Sequence, residues 1–248
     1  MLDIKKLAIA FGGIRALDGI DLSVREEEIL SIIGPNGSGK TTLFNCLTGI
    51  YHPDQGDIVY RGESLLGLSP DHIAIRGIAR TFQNLRLFMN MNVLDNLMLG
   101  RHVHMKKNIL AALFRFRGEE LRHRERVEEI IDFLDLQAHR KSRVADCPYG
   151  VQKRIELGRA LALEPRLLLL DEPISGLTAE EKEEAAYRVT EIRGRFKIAI
   201  ILVEHDLKIA SRLADTMVAF NYGQKIAQGT PEEVQRNPEV VRAYVGEE

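Results

Sequence analysis

Three short runs of aliphatic and β-branched residues, 29–33, 167–170 and 198–203, stand out from an otherwise mixed chain, each closed by polar residues or by Gly and Pro. A short apolar run without alternation is what a strand covered on both faces requires, so these runs predict parallel strands inside a sheet. The first two are followed by helix-length segments, 39–49 and 179–193. Strand then helix, repeated, predicts an α/β fold with helices on the faces of the sheet. Residues 2–11, 20–24 and 57–60 alternate instead, and Gly12-Gly13 and Gly56 read as turns between them. They predict a flanking antiparallel β region, partly exposed, beside the parallel core. From about residue 84 to 158 strand signals fade and helical spacing takes over, in 93–99, 109–116 and 119–136. On this pattern the chain divides into an α/β core, residues 1–83 and 159–248, and an inserted helical subdomain, residues 84–158, with no internal repeat or low-complexity linker.

Composition narrows this picture. The 248 residues are 45% apolar and 28% charged with a formal charge of -2, which fits a folded globular chain and excludes a disordered tail or a disulfide-stapled miniprotein. The near-zero net charge counts against a dedicated nucleic-acid binder, so no nucleic-acid partner is expected. Two cysteines, Cys46 and Cys147, lie far apart in a chain that opens without a secretory leader, and a reducing cytoplasm is the expected setting. The apolar runs fall well short of the roughly 18 residues needed to cross a bilayer. Any membrane role is therefore expected to be peripheral. Residues 101–126 hold eight Lys or Arg against three acidic residues, either as a solvated helix face or as a surface near anionic lipid.

The chemistry begins at Gly34-Pro35-Asn36-Gly37-Ser38-Gly39-Lys40-Thr41, followed by Thr42. This is the P-loop spacing, set between a predicted strand and a predicted helix. Phosphate oxygens need many donors at close range. Glycines let backbone N–H groups approach, a helix N-terminus adds partial positive charge, and Lys40 adds a full one. Thr41 would place its hydroxyl on Mg2+. The second predicted strand ends in Asp171-Glu172, where open α/β sheets bind ligands. Alone, such a pair could simply cap a helix; beside a P-loop, Asp171 suits a Mg2+ ligand and Glu172 a general base. The third run ends in Glu204-His205-Asp206, and His205 could reach the γ-phosphate or the water beside Glu172. Gln83 sits where the core gives way to the helical stretch, and its amide oxygen could ligate Mg2+.

These motifs, in this order, resemble the ATP-binding-cassette ATPase family over essentially the whole chain. Closer similarity is to the ATPase subunits of Liv-type branched-chain amino-acid importers. It rests on Phe11 to Leu17, Arg80-Thr81-Phe82-Gln83-Asn84, Val203-Glu204-His205-Asp206, Tyr222 to Pro231 and the tail Asn237 to Gly246. The resemblance implies ATP and Mg2+ as ligands and Phe11 as the aromatic that stacks on adenine, unless it is a plain core residue. The family signature, normally Leu-Ser-Gly-Gly-Gln, aligns with Cys147-Pro148-Tyr149-Gly150-Val151, keeping only Gly150 of its characteristic residues. Pro148 offers neither hydroxyl nor N–H, so a working but chemically reduced signature is expected, its helix N-terminus capping the γ-phosphate held by an opposite subunit. Thr178 stands where the family usually has Asp, which puts that residue's cross-dimer contact in question.

The resemblance further implies an ATP-sandwich dimer with a second ABC ATPase, a copy or a paralogue. It implies transmembrane permease subunits, one helix of which enters a groove near Gln83 to Phe88, an indirect link to an extracytoplasmic solute-binding protein, and a place on the cytoplasmic face of the inner membrane. A lipid or lipopolysaccharide exporter's ATPase, a permease-free ABC ATPase, a P-loop kinase and a weakly catalytic regulatory subunit remain the alternatives.

Overall fold

The computed structural model describes residues 1–105 and 117–245. The expected helix at 109–116 lies outside them, as does the central part of the basic stretch. The chain forms two compact units, residues 1–80 with 166–248 and residues 81–165. The sequence pattern sets its boundaries at 83/84 and 158/159. The second of these would cut a single helix, Tyr149–Ala162, which runs unbroken through residue 158.

The first unit carries two sheets. One is antiparallel, in the order β2-β1-β4-β5, from β1 Leu2–Phe11, β2 Ile14–Val24, β4 Gln55–Tyr60 and β5 Glu63–Ser64. The other has the order β10-β9-β3-β8-β7-β6. Its inner strands, β3 Ile29–Ile33, β7 Leu167–Asp171 and β8 Ala199–Val203, are buried at every position, Ser31 and the terminal Asp171 included, and are otherwise apolar, as cover on both faces requires. β9 Thr216–Asn221 and β6 Ile78–Arg80 extend the parallel set, and β10 Gln224–Gly229 closes one edge antiparallel to β9. Helix α1, Lys40–Leu47, contributes Leu43, Phe44, Cys46 and Leu47 to a core shared by both sheets. A short α2, Pro70–Ile75, leads into β6.

Gly56 is not a turn. It lies inside β4 at φ 91°, where the register with β1 slips between Lys5 and Ala8. A Cβ there would stand 2.5 Å from the carbonyl oxygens of Lys5 and Lys6. Glycine alone fits this bulge, which explains why a turn residue appears in a strand. Gly56→Ala is expected to cost about 2 kcal/mol and lower Tm by roughly 4–8 °C in a thermal melt.

The second unit is helical, with α3 Val93–Gly100, α4 Arg117–Phe133 and α5 Tyr149–Ala162. Leu97, Val127, Ile130, Ile131, Leu134 and Ile155 are buried in it. Of the basic stretch, Arg101 is buried and donates to the Ala162 carbonyl at 2.9 Å, and Arg126 pairs with Glu129 and Glu164. Both cysteines are free and buried, and burial raises both thiols, Cys46 to about 11, so neither is poised as a thiolate. Among the described residues no helix is long and apolar enough to cross a membrane.

Candidate functional site

β3, β7 and β8 are neighbours in one parallel sheet, so their carboxyl ends lie side by side. β3 runs into the P-loop, and α1 starts at Lys40 behind Gly39, whose φ is 107°. A Cβ on Gly39 would meet the Ala16 carbonyl oxygen at 2.5 Å, so this turn needs glycine for space as well as for conformation. Lys40 is buried, and its Nζ donates to the Gly34 and Pro35 carbonyls at 2.7 and 2.9 Å. Burial pulls its pKa down, and the charges of Glu172 and Asp171 push back. The site's one buried ammonium is therefore parked on the loop's own carbonyls, ready for a stronger set of oxygens. Asn36 and Gly37 are exposed, Pro35 half-buried, Ser38 buried, and Thr41 and Thr42 lie in the first turn of α1 with Thr41 exposed.

β7 delivers the two carboxylates. Asp171 pairs in register with Val203 of β8, and the Glu172 N–H donates to the Val203 carbonyl at 2.9 Å. Glu172 takes φ 49°, a strained value for a residue with a side chain. There its Oε1 lies 2.6 Å from His205 Nε2. His205 is thus on the Glu172 carboxylate itself. Glu204, buried between them in sequence, accepts the Ile174 N–H at 3.1 Å and pins the chain that follows Glu172.

Three residues of this site, Arg80, Asn45 and Tyr244, escape the sequence reading. Arg80, ending β6, donates from Nη2 to Asp171 Oδ2 at 2.8 Å and from Nη1 to Asn45 Oδ1 at 2.7 Å, and its guanidinium lies 5.3 Å from the Phe44 ring centroid. It ties the P-loop helix to the β7 carboxylate. The available signal was a charged residue closing the apolar pair Ile78-Ala79. The third is Tyr244, whose hydroxyl accepts the Gly34 N–H.

Phe11 ends β1 and is 45% exposed, with its ring edge-on to Tyr51 at 5.1 Å between centroids. It is not a core phenylalanine, and an exposed aromatic pair can offer a face to a flat base. Thr178 caps Ala179–Phe196, here α6, in a capping box with Glu181, so the residue that departs from the family pattern has a local helix-starting role.

The helical unit carries the remaining candidates. Gln83 is exposed, just past its first residues. The backbone beside it is anchored: buried Glu156 of α5 accepts the Arg86 N–H at 3.1 Å, and Arg159 donates to the Arg86 carbonyl. Burial raises the Glu156 pKa against the hydrogen bonds and cations that favour its charge. Pro148 is the N-cap of α5, and no side chain caps the helix, so the first-turn N–H groups of Tyr149, Gly150 and Val151 are open to an external acceptor. The Tyr149 ring is exposed, whereas the Val151 side chain is buried and can serve only through its backbone.

The Thr41 hydroxyl, the Asp171 carboxylate and the Gln83 amide oxygen are hard donors of the kind Mg2+ takes. Among the described residues no three His, Cys, Asp or Glu could hold a metal together.

The ABC transporter family profile matches residues 17–175, and a second, described as branched-chain amino acid ATP-binding cassette transporter, matches residues 224–248. The high-affinity branched-chain amino acid transport ATP-binding protein BraF of Pseudomonas aeruginosa is 39% identical, covering 100% of this chain and 98% of its own. The corresponding protein LivG of Escherichia coli is 38% identical over the same shares. Among solved structures, the ADP conformation of MJ1267, an ATP-binding cassette of an ABC transporter, superposes with a TM-score of 0.87 at 31% identity, covering 100% and 99% of the two chains.

Proposed function

The chain belongs to the ABC transporter family, and on that premise we propose that it is the ATP-hydrolysing subunit of an importer for branched-chain or chemically similar amino acids. The observation that carries the catalytic part is the convergence of Lys40, Asp171, Glu172 and His205 at the carboxyl ends of adjacent strands. The solute class is supported by full-length likeness to BraF and LivG and by the match at residues 224–248.

ATP lies with its adenine on Phe11 and its phosphates in the loop of residues 34–42, against the N–H groups that follow Pro35. Lys40 leaves the Gly34 and Pro35 carbonyls for the β- and γ-phosphate oxygens, exchanging neutral acceptors for charged ones. Thr41, Asp171 and Gln83 would hold Mg2+, which would supply charge neutralisation at the phosphates. A water attacks the γ-phosphorus and gives its proton to Glu172; the bond to the β–γ bridging oxygen breaks and ADP leaves. His205 orients Glu172 through their hydrogen bond. The first turn of α5, from Pro148 through Tyr149 and Gly150 to Val151, caps the γ-phosphate held by the opposite subunit, so closure is favoured by contacts that exist only with ATP between two subunits. Hydrolysis removes them. The exposed segment from Gln83 to Phe88 meets the permease, which places the chain on the cytoplasmic face of the membrane, and the helical subdomain carries both surfaces.

Phe11→Ala is expected to weaken ATP binding at least about fivefold, the lower end of what one base–aromatic stack contributes, with kcat nearly unchanged. A titration with ATP and a steady-state rate curve read both. The transport assignment is tested by gentle detergent capture of the chain from its native membranes. Recovery with two multi-span proteins and a second small ATPase, and ATP-driven leucine uptake in vesicles with the matching binding protein, support it. Recovery in the soluble fraction alone, or with ribosomes or DNA, overturns it in favour of a permease-free ATPase.

A further inference from the structure

The end of the chain reaches the P-loop. Helix α7, Leu207–Leu213, is followed after β9 and β10 by α8, Pro231–Arg236, and α9, Pro238–Val245. α9 buries Val240 in a second apolar cluster with Ile33, Ala210, Met217, Ala219 and Val234. Ile33 is the last residue of β3, so this helix is seated against the strand that delivers the P-loop. Tyr244 lies four residues beyond Val240, one helical turn along the same side of α9. Its hydroxyl oxygen accepts the N–H of buried Gly34 at 2.8 Å, across 210 residues of sequence. The Gly34 carbonyl, meanwhile, accepts Lys40 Nζ at 2.7 Å. One P-loop residue is thus held through its N–H by the last helix and through its carbonyl by the cation of the site. Tyr244 as a residue is 38% exposed, yet desolvation around its hydroxyl pushes the phenol above its ordinary value.

We propose that Tyr244 is a positioning residue of the nucleotide site: by fixing the Gly34 peptide it holds the start of the P-loop in the shape that receives phosphate, and it makes ATP affinity depend on docking of the C-terminal helix. The proposal rests on the reading of residues 34–42 as an ATP site. Coupling of this kind is reciprocal, so ATP must in turn tighten the docking of α9.

The test uses the full chain and Tyr244→Phe, which keeps the ring and its packing and removes only the hydroxyl. The Kd and KM for Mg–ATP are expected to rise about 3- to 10-fold, the size of one lost hydrogen bond at a buried group, with kcat within about twofold. Amide hydrogen exchange is expected to quicken at 33–40 without nucleotide. In the wild-type chain ATP is expected to slow exchange at 238–245. Val240→Ala, which loosens the helix without touching the hydroxyl, is expected to shift Kd in the same direction. An ATP Kd in Tyr244→Phe equal to that of a wild-type chain that does bind ATP overturns the coupling and leaves the ATP site standing, as does a loss confined to kcat. A wild-type chain that binds no ATP overturns both.

Discussion

Glu172→Gln is expected to lower ATP turnover by about two to four orders of magnitude while leaving ATP bound and the two-subunit sandwich closed. The glutamine keeps the size and trigonal shape of the carboxylate, and the φ of 49° that aims the side chain belongs to the backbone, so the substitution changes little but the proton chemistry. An amide oxygen is a poor base. The phosphate-binding parts, Lys40 and the loop of residues 34–42, keep their own side chains and backbone, so affinity should survive. Without hydrolysis the closed dimer has no route to reopen, and size-exclusion chromatography with Mg–ATP should show the variant as a dimer. Wild-type turnover in this variant would remove Glu172 from the mechanism. His205→Ala separates the two members of the 2.6 Å pair. It leaves the base in place but unoriented and should cost less than the Glu172 change. Equal losses would mean that the pair acts as one unit.

What the sequence made legible is what depends on neighbours along the chain. β3, β7 and β8 announce themselves because a strand covered on both faces shows no alternation of polar positions, Ser31 being the single polar residue inside them, and the P-loop because its spacing is local. Once those strands are placed, Asp171, Glu172 and His205 follow as residues at their carboxyl ends. The misplacements have the same origin. Gly56 carries the composition of a turn, but the bulge that needs it is created by the register of β1, a different strand. The boundary at 158/159 fell inside α5 because a helix-rich segment gives no local sign of where it stops packing against its own unit. Thr178 reads as a departure from the family pattern, yet Glu181 three residues on supplies a reason for threonine there. Arg80 and Tyr244 were invisible as site residues because their partners lie 91 and 210 positions away, and no periodicity connects them.

Arg80→Leu is the sharpest test of that long-range layer, with an expected cost of about 3–5 kcal/mol and a Tm lowered by roughly 6–20 °C. The pair it breaks is closed from water, the Arg80 and Asp171 side chains being 5% and 3% exposed. The attraction between the two charges only partly offsets what it costs to bring them inside. Removing one partner forfeits that offset and leaves the other charge buried beside apolar β7 and β8. Leucine also abandons the Asn45 oxygen and the Phe44 ring, loosening the end of α1. The double variant Arg80→Leu/Asp171→Asn should recover much of the loss, since both charges of the pair are then gone. Thermal or urea unfolding of the four proteins gives the coupling directly, and strictly additive losses would show that the 2.8 Å contact contributes nothing of its own. A strong coupling has a functional corollary. Arg80 is then the countercharge of Asp171 when no nucleotide is bound, and on the proposed role of Asp171 as a Mg2+ ligand the ion would have to share a carboxylate that already has a cation. Arg80→Leu should accordingly bind Mg2+ with ATP more tightly than the parent at a temperature where both are folded, even as it loses stability.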